Sequence, residues 1–91
     1  INPNDAEAHY LLGATYVQMG RMDQALEEFQ TALEHDPSLP EAYFGLGTVY
    51  KLQGKTQQAI EAFERFLEVG QAQDPQARVE AERMLRELKG Q

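Results

Sequence analysis

The chain repeats itself every 34 residues. Laying residues 3–36 against 37–70 gives thirteen identities: Pro3/Pro37, Glu7/Glu41, Ala8/Ala42, Leu12/Leu46, Gly13/Gly47, Tyr16/Tyr50, Gly20/Gly54, Gln24/Gln58, Ala25/Ala59, Glu27/Glu61, Phe29/Phe63, Leu33/Leu67 and Glu34/Glu68. Conservative pairs such as Tyr10/Phe44, Arg21/Lys55 and Leu26/Ile60 extend the match. A period of about 20–50 residues marks a supersecondary unit stacked on its own copy, because such a unit cannot bury its apolar face alone. The repeat constrains function as well. Stacked helical units present an extended surface to a partner rather than a closed pocket for chemistry.

Apolar residues recur within each copy at intervals of three to four, as in Leu12, Tyr16 and Met19 or Ala25, Phe29, Ala32 and Leu33. That spacing predicts helix rather than strand. Helix breakers divide the chain into five segments. The first runs from about Asp5 to Met19, with Asn4 and Glu7 at capping-box spacing and Gly20 at its end. The second spans Met22 to His35 and stops at Asp36-Pro37. The third runs from Leu39 or Pro40 to Gln53, with Ser38 and Glu41 as a second capping box and Gly54 closing it. The fourth covers Thr56 to Val69 and ends at Gly70. After a looser stretch to Gln73, Asp74-Pro75 opens a fifth that reaches Lys89. Ala77, Ala81, Met84, Leu85 and Leu88 form one stripe on it, and Arg78, Glu82, Arg83, Arg86 and Lys89 lie mostly off that stripe. Short connections require antiparallel neighbours. The fold class expected is all-α: an α-solenoid of two antiparallel helix-turn-helix repeats, about 3–36 and 37–70, followed by a terminal helix at about 75–89.

Ninety-one residues make a single small domain, which suits a stack held by contacts between neighbours. The formal charge of −7 is uneven: residues 1–36 hold seven of the fifteen acids and one base, Arg21. That balance argues against nucleic acid or an anionic membrane as partner, since phosphates need a basic footprint. No apolar run approaches the roughly 18 residues of a membrane span. Without cysteine there is no disulfide and no thiolate chemistry, and the compartment stays open. The chain starts at Ile1 rather than at methionine, and Ile1-Asn2-Pro3 matches the end of a repeat as His35-Asp36-Pro37 does. A piece of a longer protein, with an earlier repeat before it, is the expectation.

The catalytic inventory is thin. His9 and His35 are the only histidines, and His35 with the adjacent Asp36 gives no metal-ligand geometry. His35 suits a helix C-terminus, where the dipole favours a positive group, and His9 reads as a partly buried structural residue. Glu27, Glu28, Glu34, Glu61, Glu64 and Glu68 fall on faces that read as solvated, with no facing walls for paired-acid hydrolysis. Gly13, Gly20, Gly45, Gly47 and Gly54 are packing or capping residues rather than a phosphate loop. No catalytic, cofactor-binding or metal-binding residue is expected, and no cofactor.

The run Leu12-Gly13-x-x-Tyr16, Gly20, Ala25-x-x-x-Phe29, Ala32, Asp36-Pro37, with its second copy Leu46-Gly47-x-x-Tyr50, Gly54, Ala59-x-x-x-Phe63, resembles the tetratricopeptide repeat. The resemblance covers about residues 3–70, and the fifth segment is similar to the solvating helix that follows the last repeat of such arrays. It implies a concave groove lined by the first helix of each repeat. The groove would present Glu7, Tyr10, Leu11, Ala14, Val17 and Gln18, then Glu41, Phe44, Gly45, Thr48, Lys51 and Leu52. Tyr10 and Phe44 are read as binding rather than packing residues, so that a charge at Phe44 should leave the core intact. A clamp for acidic peptide tails is not expected, because Lys51 is the only base among these positions. Phe66 stands where the first repeat has Ala32, which predicts that the fifth helix is held further off.

The functional expectation is a non-catalytic scaffold whose groove takes an apolar or amphipathic segment of another protein, with basic residues facing the acidic first repeat. The alternatives are self-assembly by stacking through Ala8, Leu11, Thr15 and Met19, and an accessory domain of a larger enzyme.

Overall fold

A computed structural model of the chain describes residues 5–70 and 74–90. Five helices follow in order: α1 (Ala6–Gln18), α2 (Met22–His35), α3 (Pro40–Leu52), α4 (Thr56–Val69) and α5 (Pro75–Lys89), with no strand among the described residues. α1 packs along α2 and α3 along α4 as two hairpins, α2 meets α3, and α4 meets α5. α1 also touches α3, and Lys51 on α3 reaches Glu87 on α5 at 3.9 Å. The odd-numbered helices therefore lie side by side along one face of an α-solenoid.

Both hairpins turn in the same way. Gly20 and Gly54, one repeat apart, each adopt φ 76°, the left-handed conformation that ends a helix without a Cβ penalty. The Gly20 and Arg21 amides donate to the carbonyls of Val17 and Tyr16 at 3.0 and 2.9 Å. Those of Gly54 and Lys55 donate to Lys51 and Tyr50 at 3.1 and 2.9 Å. This is the Schellman arrangement, which satisfies the last carbonyls of the helix. Gly54→Ala is expected to lower stability by about 1–2 kcal/mol, the strain of a left-handed residue with a Cβ, read from a denaturant midpoint. No side chain surrounds the position. A change near zero would show that the turn relaxes to another conformation.

Two of the helix starts depart from the expected capping boxes. Asn4 lies outside the described residues, and the α1 cap is Asp5, whose carboxylate accepts from the Glu7 and Ala8 amides at 2.9 and 3.4 Å. Ser38 does not cap α3. Its amide and hydroxyl both donate to Asp36 Oδ1, at 3.1 and 2.9 Å, and Leu39 takes the cap position with no side-chain bond. With its hydroxyl turned back to donate to Asp36, Ser38 does not aim its oxygen at the helix amides. Asp74 caps α5 as expected, accepting from Gln76 and Ala77 amides.

The core is a file of aromatic rings set against glycines. Phe29 on α2, 1% exposed, lies between Gly13 of its own hairpin and Gly45 of the next. A Cβ on Gly13 would come within 2.7 Å of the ring, and one on Gly45 within 2.6 Å. Phe63 on α4 repeats the contact with Gly47, where a Cβ would fall 2.8 Å away. Two small residues thus let one ring join two hairpins at close range. Around Phe63 and Phe66, α5 supplies Ala81, Leu85 and Leu88, all buried, with Ala77 and Met84 beside them. Phe66 does not keep α4 from meeting α5 over about the same extent as α2 meets α3, although α3 touches α5 less than α1 touches α3. Phe66 instead turns its ring edge-on to Phe44, centroids 5.2 Å apart.

Candidate functional site

The inner face of the stack holds a cavity of about 650 Å³ between α1, α3 and the start of α5. That volume falls within the usual range for a binding cleft. Tyr10, Ala14, Val17 and Gln18 line it from α1, and Pro40, Glu41, Phe44, Gly45 and Thr48 from α3. Phe29 and Phe66 reach it from the second helices of the two hairpins, and Gly70, Asp74 and Ala77 close the far side. The helical period explains the grouping: residues 10, 14 and 17 fall on one stripe of α1, and 41, 44, 45 and 48 on one stripe of α3.

Of the groove residues expected from sequence, Tyr10, Ala14, Val17, Gln18, Glu41, Phe44, Gly45 and Thr48 come together in this cavity. Glu7, Leu11, Lys51 and Leu52 do not line it. Leu11 and Leu52 are 56% and 64% exposed, and Lys51 turns toward Glu87. The expectation that Phe44 could take a charge without touching the core is corrected as well. Its ring packs edge-on against both Phe63, at 5.5 Å between centroids, and Phe66. Phe44 is at once the floor of the cavity and a wall of the core, and Tyr10 has the same double position over Phe29, 5.8 Å away.

The structure adds Phe29, Pro40, Phe66, Gly70, Asp74 and Ala77 to the lining, none of them expected there from sequence. The available signal was Phe66, a large aromatic at a position where the first repeat is small, which must find space on one side of its helix or the other.

The electrostatics of the cavity are acidic. Glu41 and Asp74 line it, and no base among the described residues does. Burial, then the charge of Glu41, raises the Tyr10 phenol above its ordinary value, so it stays a neutral donor. Glu41 forms no ion pair with any described residue.

The histidines lie elsewhere. His9 Nδ1 donates to Glu28 Oε1 at 2.8 Å, and its ring stacks on His35 with centroids 5.6 Å apart. The pair fastens α1 to α2, so His9 has the partly buried structural place expected of it. Among the described residues no group of three or more His, Cys, Asp or Glu is placed to hold a metal ion. No helix formed by them is long and apolar enough to cross a membrane.

A stack of antiparallel helical pairs closed by a last helix, with its inner helices side by side, defines the α-solenoid class of repeat protein. Comparison with known families places the chain within that class. A family model described as TPR repeat matches residues 13–54, and one described as Tetratricopeptide repeat matches residues 40–70. The chain belongs to the tetratricopeptide repeat family. Repeats of this family generally mediate protein–protein interaction, and its members are typically non-catalytic scaffolds.

Solved structures agree on the fold. The crystal structure of a tetratricopeptide repeat domain protein from Salinibacter ruber superposes with a TM-score of 0.84 at 23% identity, over 94% of this chain and 97% of that one. The solution structure of a Salinibacter ruber tetratricopeptide repeat domain protein gives 0.84 at 23% identity, over 99% of this chain and 92% of that one. The crystal structure of MamA protein gives 0.78 at 25% identity, over 98% of this chain and 51% of that one. No curated protein matches the chain in sequence.

Proposed function

We propose that the chain is a non-catalytic interaction module that receives an apolar or amphipathic segment of another protein on its inner face. The observation that supports this reading most strongly is the cavity floored by Tyr10, Val17, Phe29, Phe44 and Phe66, open between α1 and α3. Apolar side chains gathered in a concave cleft gain most from a partner that brings apolar surface of its own. A photo-reactive phenylalanine analogue at Gln18, exposed beside the cavity, should crosslink a discrete partner in cells. The same analogue at exposed Glu27 on α2 should not. Equal labelling from both positions would remove the inner face as the docking surface.

Self-assembly is the second reading, favoured by Leu11 on α1 and Met19 at its C-cap, 56% and 55% exposed. One residue limits it. Leu11 stands one repeat before Gly45, at the position whose missing side chain admits the Phe29 ring. A helix that presents a phenylalanine ring as α2 does to α3 would therefore not fit in the same way on α1. If assembly occurs in some other register, Met19→Glu should convert an oligomer to a monomer in sedimentation velocity. A wild-type chain already monomeric at high concentration ends this reading for the chain.

A further inference from the structure

The cavity combines three features that together select the chemistry of its occupant. Its floor is aromatic, with Phe44, Phe66 and Tyr10. Among the described residues its polar lining includes two carboxylates and no base. One of those carboxylates, Glu41, has no cationic partner among the described residues. Asp74 is partly engaged, since its Oδ1 caps α5, and its Oδ2 makes no hydrogen bond to any other described residue. The nearest base in sequence on α3, Lys51, is directed at Glu87. The wider field has the same sign, with the excess of acids concentrated in residues 1–36 and a net charge of −7.

We infer that the group seated in this cavity is a lysine or arginine side chain of the partner segment, its aliphatic stem over the aromatic floor and its charged head at Glu41 and Asp74. The inference rests on the inner face being the docking surface. Long basic side chains suit such a site because they bury an apolar stem while keeping the charge at a polar rim. Guanidinium and ammonium groups also lie favourably over aromatic faces. An acidic segment would meet like charge with no base to offset it, which suppresses the wrong partner as effectively as attraction selects the right one.

The test uses the full chain and three short leucine-containing peptides that differ at one central residue: arginine, its neutral isostere citrulline, or glutamate. Binding is followed by the aromatic resonances of Tyr10 and Phe44. The arginine peptide should bind about tenfold more tightly than the citrulline peptide, the scale expected for one or two partly exposed ion pairs. The glutamate peptide should bind most weakly. Glu41→Gln with Asp74→Asn should erase the difference between arginine and citrulline, and asparagine retains the cap of α5. An unchanged melting temperature shows that the double variant folds.

If arginine and citrulline peptides shift the Tyr10 and Phe44 signals with equal affinity, the cation inference falls and the groove reading stands. Arginine binding that moves only signals outside the cavity, or that survives the double variant, also overturns the inference. If none of the peptides moves those two signals, both readings fall.

Discussion

Replacing Phe29 with alanine is expected to destabilise the chain by about 3–5 kcal/mol, the range for removing a fully buried phenylalanine. The total stability of a domain this size is about 5–15 kcal/mol, so the variant should be near half unfolded under mild denaturant. The size of the effect follows from position. The ring is held by Gly13 within its hairpin and by Gly45 across the junction, so its loss opens a void inside the first repeat and at its boundary with the second. Surrounding helices can collapse onto one of those gaps more easily than onto both. Urea unfolding followed by circular dichroism gives the loss directly. A second variant shows whether the ring is the link. Gly45→Ala alone should destabilise, because the new Cβ would lie 2.6 Å from the ring, but it should be much milder when Phe29 is already alanine. Strict additivity of the two changes would mean that the hairpins are joined elsewhere.

The helices and their order were legible because the repeat wrote the same instructions twice. Gly20 and Gly54 turn their hairpins with the same dihedral angle, and Phe29 and Phe63 face Gly13 and Gly47 in the same way. What the period could not show was Gly45. Its counterpart is Leu11, so the alignment of copies hid the contact that only the junction between repeats requires. Capping failed for a related reason: a serine three residues before a glutamate is a cap only if its oxygen faces the helix amides, and the Ser38 hydroxyl is turned back toward Asp36.

The groove was half legible. Positions on the α1 and α3 stripes follow from helical spacing, and eight of those expected do meet in the cavity. Lys51 and Leu52 were misplaced because a stripe read from sequence has no edge, and the edge here is set by α5 through Glu87. The division between binding and packing was the wrong question for Phe44. In a stack this thin, 19 Å along its shortest axis, the floor of the surface groove and the wall of the core are the same ring.

Ending the chain after Gly70 is expected to abolish cooperative unfolding and drive the protein to aggregate. α5 is what keeps Ala59, Phe63 and Phe66 from water, through Ala81, Leu85 and Leu88. The last unit of a solenoid needs a polar outer face, and α5 provides one with Arg83 and Arg86 opposite its buried stripe and Arg78 exposed at its flank. The ion pairs it brings, Lys89–Glu64 at 3.0 Å and Lys51–Glu87 at 3.9 Å, are exposed and add little. Apolar cover therefore supplies most of what α5 contributes, and a point change separates that cover from simple loss of chain. Leu88→Ala, at a residue 3% exposed, should destabilise by about 2–5 kcal/mol. Val79→Ala, on the same helix but 62% exposed, should stay within about 0.5 kcal/mol of wild type. Differential scanning calorimetry of both variants beside the truncated chain gives the comparison. Equal melting temperatures for Leu88→Ala and Val79→Ala, with a truncated chain that still melts cooperatively, would mean that α5 rests on the stack without holding it together.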